Sequence, residues 1–273
     1  MTGSKTSGQR SGRIGILLEA RYRRQAQPAG MIEALKAMAQ VEVVEIRSSV
    51  DLGQCDLLVA RGRSLDVLSL MADAEARGVR TINGSLSVRS VVDKIAMHHR
   101  LVEAGIAVPP TWTGSFEALR DQLAAHRGPI VVKPVFGDNC RDVTVLDDGT
   151  ALRSLRWNEP RAIVQRHLPN DGYDVKLYGV GDDVWAVRKP SPLSVAGGIS
   201  MLMATNTNHV DLAHRCRDAF GLDLYGVDCI ATDAGLVVIE VNDFPNYTGI
   251  PGADEHLARF VVSALLEDLA VAS

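Results

Sequence analysis

The sequence predicts an α/β protein in which a parallel sheet with crossover helices precedes a larger region of antiparallel hairpins. Two patterns support this prediction. From Arg13 to Ile82, short apolar strands alternate with helical segments, which is typical of a parallel sheet. From Ile130 onwards, apolar runs follow one another closely around polar turns, which is typical of hairpins. With 273 residues, the chain is long enough to form more than one lobe.

We expect residues 13–87 to form the N-terminal parallel lobe. Its predicted strands cover residues 13–18, 41–46, 56–60 and 79–82, and its predicted helices cover 31–38 and 65–76. Gly78 follows the second of these helices and is a typical helix stop. Residues 1–12 have no apolar segment of the kind found in signal peptides, so we expect a disordered tail there.

The second predicted region covers residues 88–273, with a smaller lobe at about 110–168 and a C-terminal lobe at about 169–273. Its predicted helices cover residues 88–105, 113–125, 210–220 and 253–270, and Ser115 is the expected N-cap of the second. The GVGDDV segment is a turn signal, so residues 175–187 are predicted to form a hairpin. A second hairpin is predicted over 225–241, around the turn at 233–235.

Composition argues against several classes of protein. The net charge is −4, so no basic field attracts nucleic acid or an anionic membrane. No apolar run approaches the roughly 20 residues of a membrane span. The four cysteines form no C-x-x-C pair, which argues against a disulfide framework or a structural zinc site. This cysteine usage fits a reducing compartment, and we expect a cytoplasmic location.

Three oxygen-bearing side chains are expected to converge on the hairpin near the end of the chain. Glu240 and Asn242 are two residues apart and therefore point to one face of their strand. Pairing across the turn brings Asp228 alongside them. Buried carboxylates need compensation, and Mg²⁺ supplies it when it binds carboxylates together with nucleotide phosphates. The sequence therefore predicts a metal site at this hairpin.

Two lysines add to this prediction. Lys133 lies inside the apolar strand PIVVKP, where a lysine needs an anionic partner such as a nucleotide phosphate. Lys94, on the earlier helix, is a candidate for a second cation.

From Arg13 to its C-terminus the sequence resembles the ATP-grasp superfamily. The matching parts occur in the family's order: Asp93-Lys94, GIAVPPTW, VVKP, IVQRHLP, YDVKLYGVGDDVWAVRKP and D-x₁₁-E-x-N. Within the superfamily, the likeness is strongest to ribosomal-protein-S6-type glutamate ligases (RimK-like), and KPSPL and NDFPNYTGI also resemble inositol-polyphosphate kinases. The resemblance implies an ATP-grasp fold, in which a parallel α/β (pre-ATP-grasp) lobe precedes two α+β lobes that clasp ATP.

The resemblance also implies roles for the matching residues. Lys94 and Lys133 would contact the ATP phosphates, and Lys176 would lie near them. Asp174 would bind the ribose hydroxyls, and Arg188 would stabilise charge on the transferred group.

The metal and adenine sites follow from the same resemblance. Asp228, Glu240 and Asn242 would hold Mg²⁺, or Mn²⁺, between the β- and γ-phosphates. The adenine edge would be read by a backbone segment, with Gln165 beside it; this segment comprises Arg166, His167 and Leu168. Here the chain departs from the family, which usually has Glu and an aromatic residue where this chain has Arg166 and His167.

The resemblance favours an ATP-dependent carboxylate–amine ligase that acts through an acyl phosphate. Its expected partners are small-molecule or peptide carboxylates and amines, and a homodimer is an option. Two alternatives stay open: a kinase of the inositol-phosphate type and a protein that binds nucleotide without turnover. For such a kinase, the only obvious cationic cluster is Arg21, Arg23, Arg24, Arg61 and Arg63.

Overall fold

The computed structural model describes residues 12–39, 41–137, 140–194 and 198–271, which form two compact units. One unit combines the chain up to Ser85 with the segment from Pro251 onwards, and the other covers Leu86–Ile250. The predicted N-terminal tail lies outside the described residues, except for Gly12, which begins the first strand.

The first unit contains the predicted parallel sheet. Its strands, in the order β2-β1-β3-β4, are β1 (Gly12–Leu18), β2 (Val41–Glu45), β3 (Leu57–Arg61) and β4 (Arg80–Ile82). Every pairing in this sheet is parallel. Two crossover helices follow β1 and β3 along the chain: α1 (Ala26–Lys36) and α2 (Leu65–Ala76). The predictions of a parallel sheet and of these crossover helices are confirmed.

The second unit begins with two helices where the sequence predicted one. The segment 88–105 is divided between α3 (Ser85–Val92) and α4 (Lys94–Glu103). Asp93 separates them, because its carboxylate accepts hydrogen bonds from the backbone N–H groups of Ile95 (2.8 Å) and Ala96 (3.0 Å). Because of this N-cap, α4 begins as a separate helix, and Lys94 lies in its first turn.

A four-stranded antiparallel sheet forms the smaller lobe of this unit. Its strands, in the order β5-β8-β6-β7, are β5 (Thr111–Ser115), β6 (Ile130–Lys133), β7 (Thr144–Leu146) and β8 (Arg161–Arg166). The helix predicted over 113–125 is shorter than expected: α5 (Phe116–Gln122) begins after β5, because residues 111–115 pair with β8. Ser115 is its N-cap, as predicted, and accepts the N–H of Ala118 at 3.2 Å.

A five-stranded antiparallel sheet forms the larger lobe, and both predicted hairpins are confirmed. Its strands, in the order β11-β10-β9-β12-β13, are β9 (Tyr173–Val180), β10 (Asp183–Pro190), β11 (Met201–Met203), β12 (Leu224–Thr232) and β13 (Gly235–Asp243). Helix α6 (Thr207–Phe220) packs against one face of this sheet. That face is apolar, and it buries Leu177 and Val227 with Phe220 of the helix. The opposite face is left for polar side chains.

The last helix, α7 (Ala253–Val271), groups with the first unit, whereas the sequence analysis placed it in the C-terminal lobe. It packs against α1 and β1. Leu265 lies so close to Gly12 that a Cβ on that glycine would be 2.6 Å from a leucine methyl carbon, and Asp254 accepts a hydrogen bond from Gln27 at 3.1 Å. In the described part of the chain, no helix combines the length and apolar character that a membrane crossing requires.

We predict that Asn206→Ala lowers the free energy of unfolding by about 1 kcal/mol, because Asn206 caps α6. Its side chain accepts the N–H of His209 at 3.0 Å, and the His209 ring accepts the N–H of Asn206 at 3.4 Å. Urea denaturation measures the change. Asn206→Asp is the control, since a carboxylate accepts the same bond; an equal loss in both variants would contradict the capping role.

Candidate active site

The predicted metal residues lie on the polar face of the five-stranded sheet. In the strand register, Asp228 is opposite Glu240 on one side and opposite Lys176 on the other. Gly226 is opposite Asn242, two residues along the same pair of strands. Directly opposed residues on antiparallel strands share a face, so these side chains lie together. The Asn242 amide donates to Asp228 Oδ2 at 3.2 Å.

Each of the two carboxylates forms an ion pair with a lysine. Lys94 Nζ lies 2.9 Å from Glu240 Oε1 and donates a second hydrogen bond to the carbonyl oxygen of Gly137 at 2.8 Å. Lys176 Nζ lies 2.8 Å from Asp228 Oδ1. Burial by itself lowers the pKa of Lys176, but the charge and hydrogen bond of Asp228, together with the charges of Tyr178 and Glu240, raise the pKa above the ordinary value. Each of the two lysines therefore lies within ion-pair distance of a carboxylate.

Lys133 is held by a chain of hydrogen bonds in the smaller lobe. Its ammonium donates to Gln165 Oε1 at 2.7 Å, and the Gln165 amide donates to Thr111 Oγ1 at 3.2 Å. Both Lys133 and Gln165 are buried. Burial lowers the pKa of Lys133, while the charge of Glu240 opposes this effect. A buried lysine whose nearest polar partner is a neutral amide is well placed to receive an anion.

One cavity of the second unit brings these groups together. Lys94, Lys133 and Gln165 line it, and its remaining wall is mainly apolar, formed by Met97, Leu101, Val108, Ile163, Val238 and Ile239 with His98. The lining combines apolar walls with a few convergent polar groups, as ligand sites do, but the empty volume of about 270 Å³ is enough for only part of a small molecule.

The segment predicted to read adenine directly follows Gln165. The backbone N–H of Arg166 donates to the carbonyl of Pro110, and that of His167 donates to the carbonyl of Pro129, both at 2.9 Å. These two amides are therefore engaged within the protein. Of the three predicted residues, Leu168 is the one whose backbone N–H donates to no backbone carbonyl in the described part of the chain.

Two further predicted residues, Asp174 and Arg188, lie near the start of β9 and near the end of β10. Asp174 accepts a hydrogen bond from Asn170 at 2.9 Å, and burial raises its pKa. Arg188 lies opposite Val175, whose side chain is in the core, so it is on the face opposite to Lys176. Its guanidinium pairs with Asp171 at 2.6 Å and stacks 3.6 Å from the centre of the Tyr173 ring. The structure thus separates Arg188 from the other predicted site residues.

The sequence analysis missed Lys189 and Tyr178, which do lie on the polar face. Lys189 is opposite Asp174, and its ammonium donates to the Tyr178 hydroxyl at 2.6 Å. Burial is the main cause that raises the pKa of Tyr178 to about 12. The signal was present in the sequence: a two-residue turn at 181–182 fixes a register that puts residue 189, and not 188, on the face of Lys176.

The donor set at Asp228, Glu240 and Asn242 fits a magnesium ion bound together with phosphates. Two carboxylates on adjacent strands and one amide are hard oxygen ligands, and Mg²⁺ usually takes only one or two carboxylates from the protein. Among the described residues, no group of three His, Cys, Asp or Glu side chains is placed to hold a metal by itself. A metal here would therefore need the amide or the phosphates as additional ligands.

Comparison with known proteins identifies the family of the chain. The model of the RimK-like ATP-grasp domain matches residues 91–258, more than half of the chain. The chain belongs to the RimK-like ATP-grasp domain family. A RimK domain ATP-grasp protein of Sphaerobacter thermophilus has a similar structure, with a TM-score of 0.72 and 23% identity over 92% of this chain and all of that one. D-cycloserine synthetase also has a TM-score of 0.72, with 20% identity over 93% of this chain and all of that one.

Among curated proteins, a probable alpha-L-glutamate ligase of Hahella chejuensis is 27% identical over 216 residues, which is 74% of this RimK-like chain and 71% of that protein. These matches confirm the predicted ATP-grasp fold and the predicted class, an ATP-dependent ligase.

We predict a larger coupling energy for the Lys176–Asp228 pair than for a surface pair. A cycle of Lys176→Met, Asp228→Asn and the double variant should give about 1–3 kcal/mol, because each single change leaves a largely buried partner unpaired. Arg120 and Glu117, 3.8 Å apart and more exposed, are the control, with an expected coupling below about 1 kcal/mol. Urea denaturation of both cycles provides the measurement, and equal couplings for the two pairs would contradict the prediction.

Proposed function

We propose that this RimK-like protein joins a carboxylate to an amine, using ATP and Mg²⁺ and passing through an acyl phosphate. One observation carries the proposal: Lys94, Lys133 and Gln165 line a single cavity, and Lys94 also pairs with Glu240. The cavity supplies cations for phosphates, and the adjacent carboxylates supply oxygens for a metal.

In the proposed complex, part of the nucleotide would enter the cavity, whose empty volume of about 270 Å³ is too small for the whole of ATP. The ATP phosphates would take hydrogen bonds from Lys94 and Lys133, which releases Glu240 from its lysine. Leu168 would offer its backbone N–H to the base, and Asp174 would accept from the ribose. Asp228, Glu240 and Asn242 would hold Mg²⁺, which neutralises negative charge on the β- and γ-phosphates when it is bound.

The reaction has two steps. A carboxylate oxygen of the first substrate attacks the γ-phosphorus, the bond to the β-γ bridging oxygen breaks, and ADP leaves. The amine then attacks the carbonyl carbon of the acyl phosphate, inorganic phosphate leaves, and the amine loses a proton. Lys176, kept protonated by Asp228, would stabilise the charge on the transferred phosphoryl group. Because Arg188 faces the other side of the sheet, we assign the second cation on this face to Lys189.

The arginine cluster of the first unit gives little support to the kinase alternative. Arg21 pairs with Glu19 at 2.8 Å, and Arg23 pairs with Glu45 at 3.1 Å. Arg61 is buried and donates to the carbonyl of Gln27. Carboxylates beside Arg21 and Arg23 offset the positive charge that an inositol polyphosphate would require, and Arg61 is engaged by a backbone carbonyl. A cytoplasmic location and a homodimer stay predictions.

We predict that Glu240→Gln lowers the rate of ATP turnover at least about 100-fold while the protein stays folded, because it removes a charged oxygen from the centre where phosphoryl charge is neutralised. Steady-state ADP release measures the loss. Asp183→Asn, an exposed substitution beside the β9–β10 turn, is the control and should retain the wild-type rate. Normal turnover by the Glu240→Gln variant would refute the assigned role.

We also predict that hydroxylamine traps the activated carboxylate as a hydroxamate, in an amount equal to the ADP released. The assay uses the full chain with ATP, Mg²⁺, hydroxylamine and a panel of carboxylic acids. A phosphorylated product without hydroxamate would instead indicate a kinase. Omission of ATP provides the control for uncatalysed reaction.

A further inference from the structure

One row of side chains crosses all five strands of the larger sheet on its polar face. The strand register places Leu202 of β11 opposite Val187, and Val187 opposite Lys176. Lys176 is in turn opposite Asp228, which is opposite Glu240. Because directly opposed residues share a face, Leu202 at the sheet edge points to the same side as the candidate metal ligands.

The character of this row changes from polar to apolar along its length. Val187 is fully buried, and a Cβ on Gly249, in the segment that follows β13, would lie 4.0 Å from its methyl carbon. Leu202, one strand further, is 51% exposed. It is three strands from Asp228, or about 14 Å at the usual strand spacing. A metal ion, a phosphoryl group and a molecule the size of an amino acid together fill such a distance.

A cation lies between the two ends of the row. In the strand register the backbone of Lys189 is opposite Asp174, and the Lys189 ammonium donates a hydrogen bond to the hydroxyl of Tyr178 at 2.6 Å. Tyr178 is two residues beyond Lys176 on β9, so the Lys189 ammonium lies near the level of Lys176 and Val187 in the row. A substrate carboxylate at this point would meet two ammonium groups, with carboxylates and a metal on one side and apolar surface on the other.

We propose that the carboxylate substrate carries an apolar side chain that packs against Leu202, while Lys176 and Lys189 contact its carboxylate group. This inference rests on the proposed ligase function and names the substrate class. The sequence between Lys189 and His209 contains no charged residue. An acidic substrate side chain on β11 would therefore lose hydration without gaining a cation from this segment, whereas an apolar side chain gains from the burial of both surfaces.

The test compares L-leucine with L-glutamate as the carboxylic acid in the hydroxylamine assay. We expect kcat/KM for leucine to exceed that for glutamate at least about tenfold, the scale on which an apolar pocket discriminates. Leu202→Arg should lower kcat/KM for leucine about tenfold or more, and it should therefore lower the preference for leucine over glutamate. Leu202→Ala should have an intermediate effect on both quantities.

Met201→Arg is the matched control. Met201 is the neighbour of Leu202 on the same edge strand and is 40% exposed, but it lies opposite Arg188 on the other face of the sheet. We expect this variant to retain the wild-type preference. Circular dichroism and thermal unfolding check that all three variants fold.

Two results would overturn the inference while leaving the ligase function intact: a wild-type preference for glutamate, or equal effects of Leu202→Arg and Met201→Arg. The absence of hydroxamate from leucine, methionine, glutamate and aspartate alike, with ATP bound, would contradict the ligase function and this inference together.

Discussion

Charge compensation on one face of the five-stranded sheet constrains the rest of the second unit. Asp228 and Glu240 lie on adjacent strands of a largely buried surface, where carboxylates are costly without cations. Lys176 compensates the first from the neighbouring strand, and Lys94 compensates the second from α4. The position of α4 is therefore tied to the sheet, and Asp93, which caps this helix, sets where Lys94 stands.

The same arrangement suits the exchange of charged partners that the proposed reaction requires. Lysines that neutralise carboxylates in one state would neutralise phosphates in another, and a divalent cation would take over the carboxylates. Little reorganisation is needed, because the groups are already oriented by strands and by a helix terminus. Lys133 differs from the other two lysines: it is held by the neutral amide of Gln165, so its charge has the weakest compensation before a nucleotide binds.

The two faces of the five-stranded sheet differ in composition and in what they contact. One face packs against α6 through apolar side chains, which stabilises the lobe. The other carries the charged groups, Tyr178 and Lys189. Arg188 shows how strictly this division holds: one position from Lys189 along the strand, it points to the other face and pairs with Asp171 instead. For this site, strand parity decides which of two adjacent basic residues lies on the same face as Lys176 and Asp228.

The sequence by itself determined the parallel sheet, both hairpins and the convergence of Asp228, Glu240 and Asn242, because each depends on local alternation and on turns that join neighbouring strands. Only the tertiary structure decided that α7 joins the first unit and that Lys94 meets Glu240, because these contacts join segments more than 100 residues apart. No local pattern encodes such a contact; it depends on which apolar faces and charges are left to pair once the strands and helices have formed. The edge position of Leu202 was decided in the same way. The three residues of β11 do not specify which strand they pair with, and it is the pairing with β10 that puts β11 at the edge of the sheet.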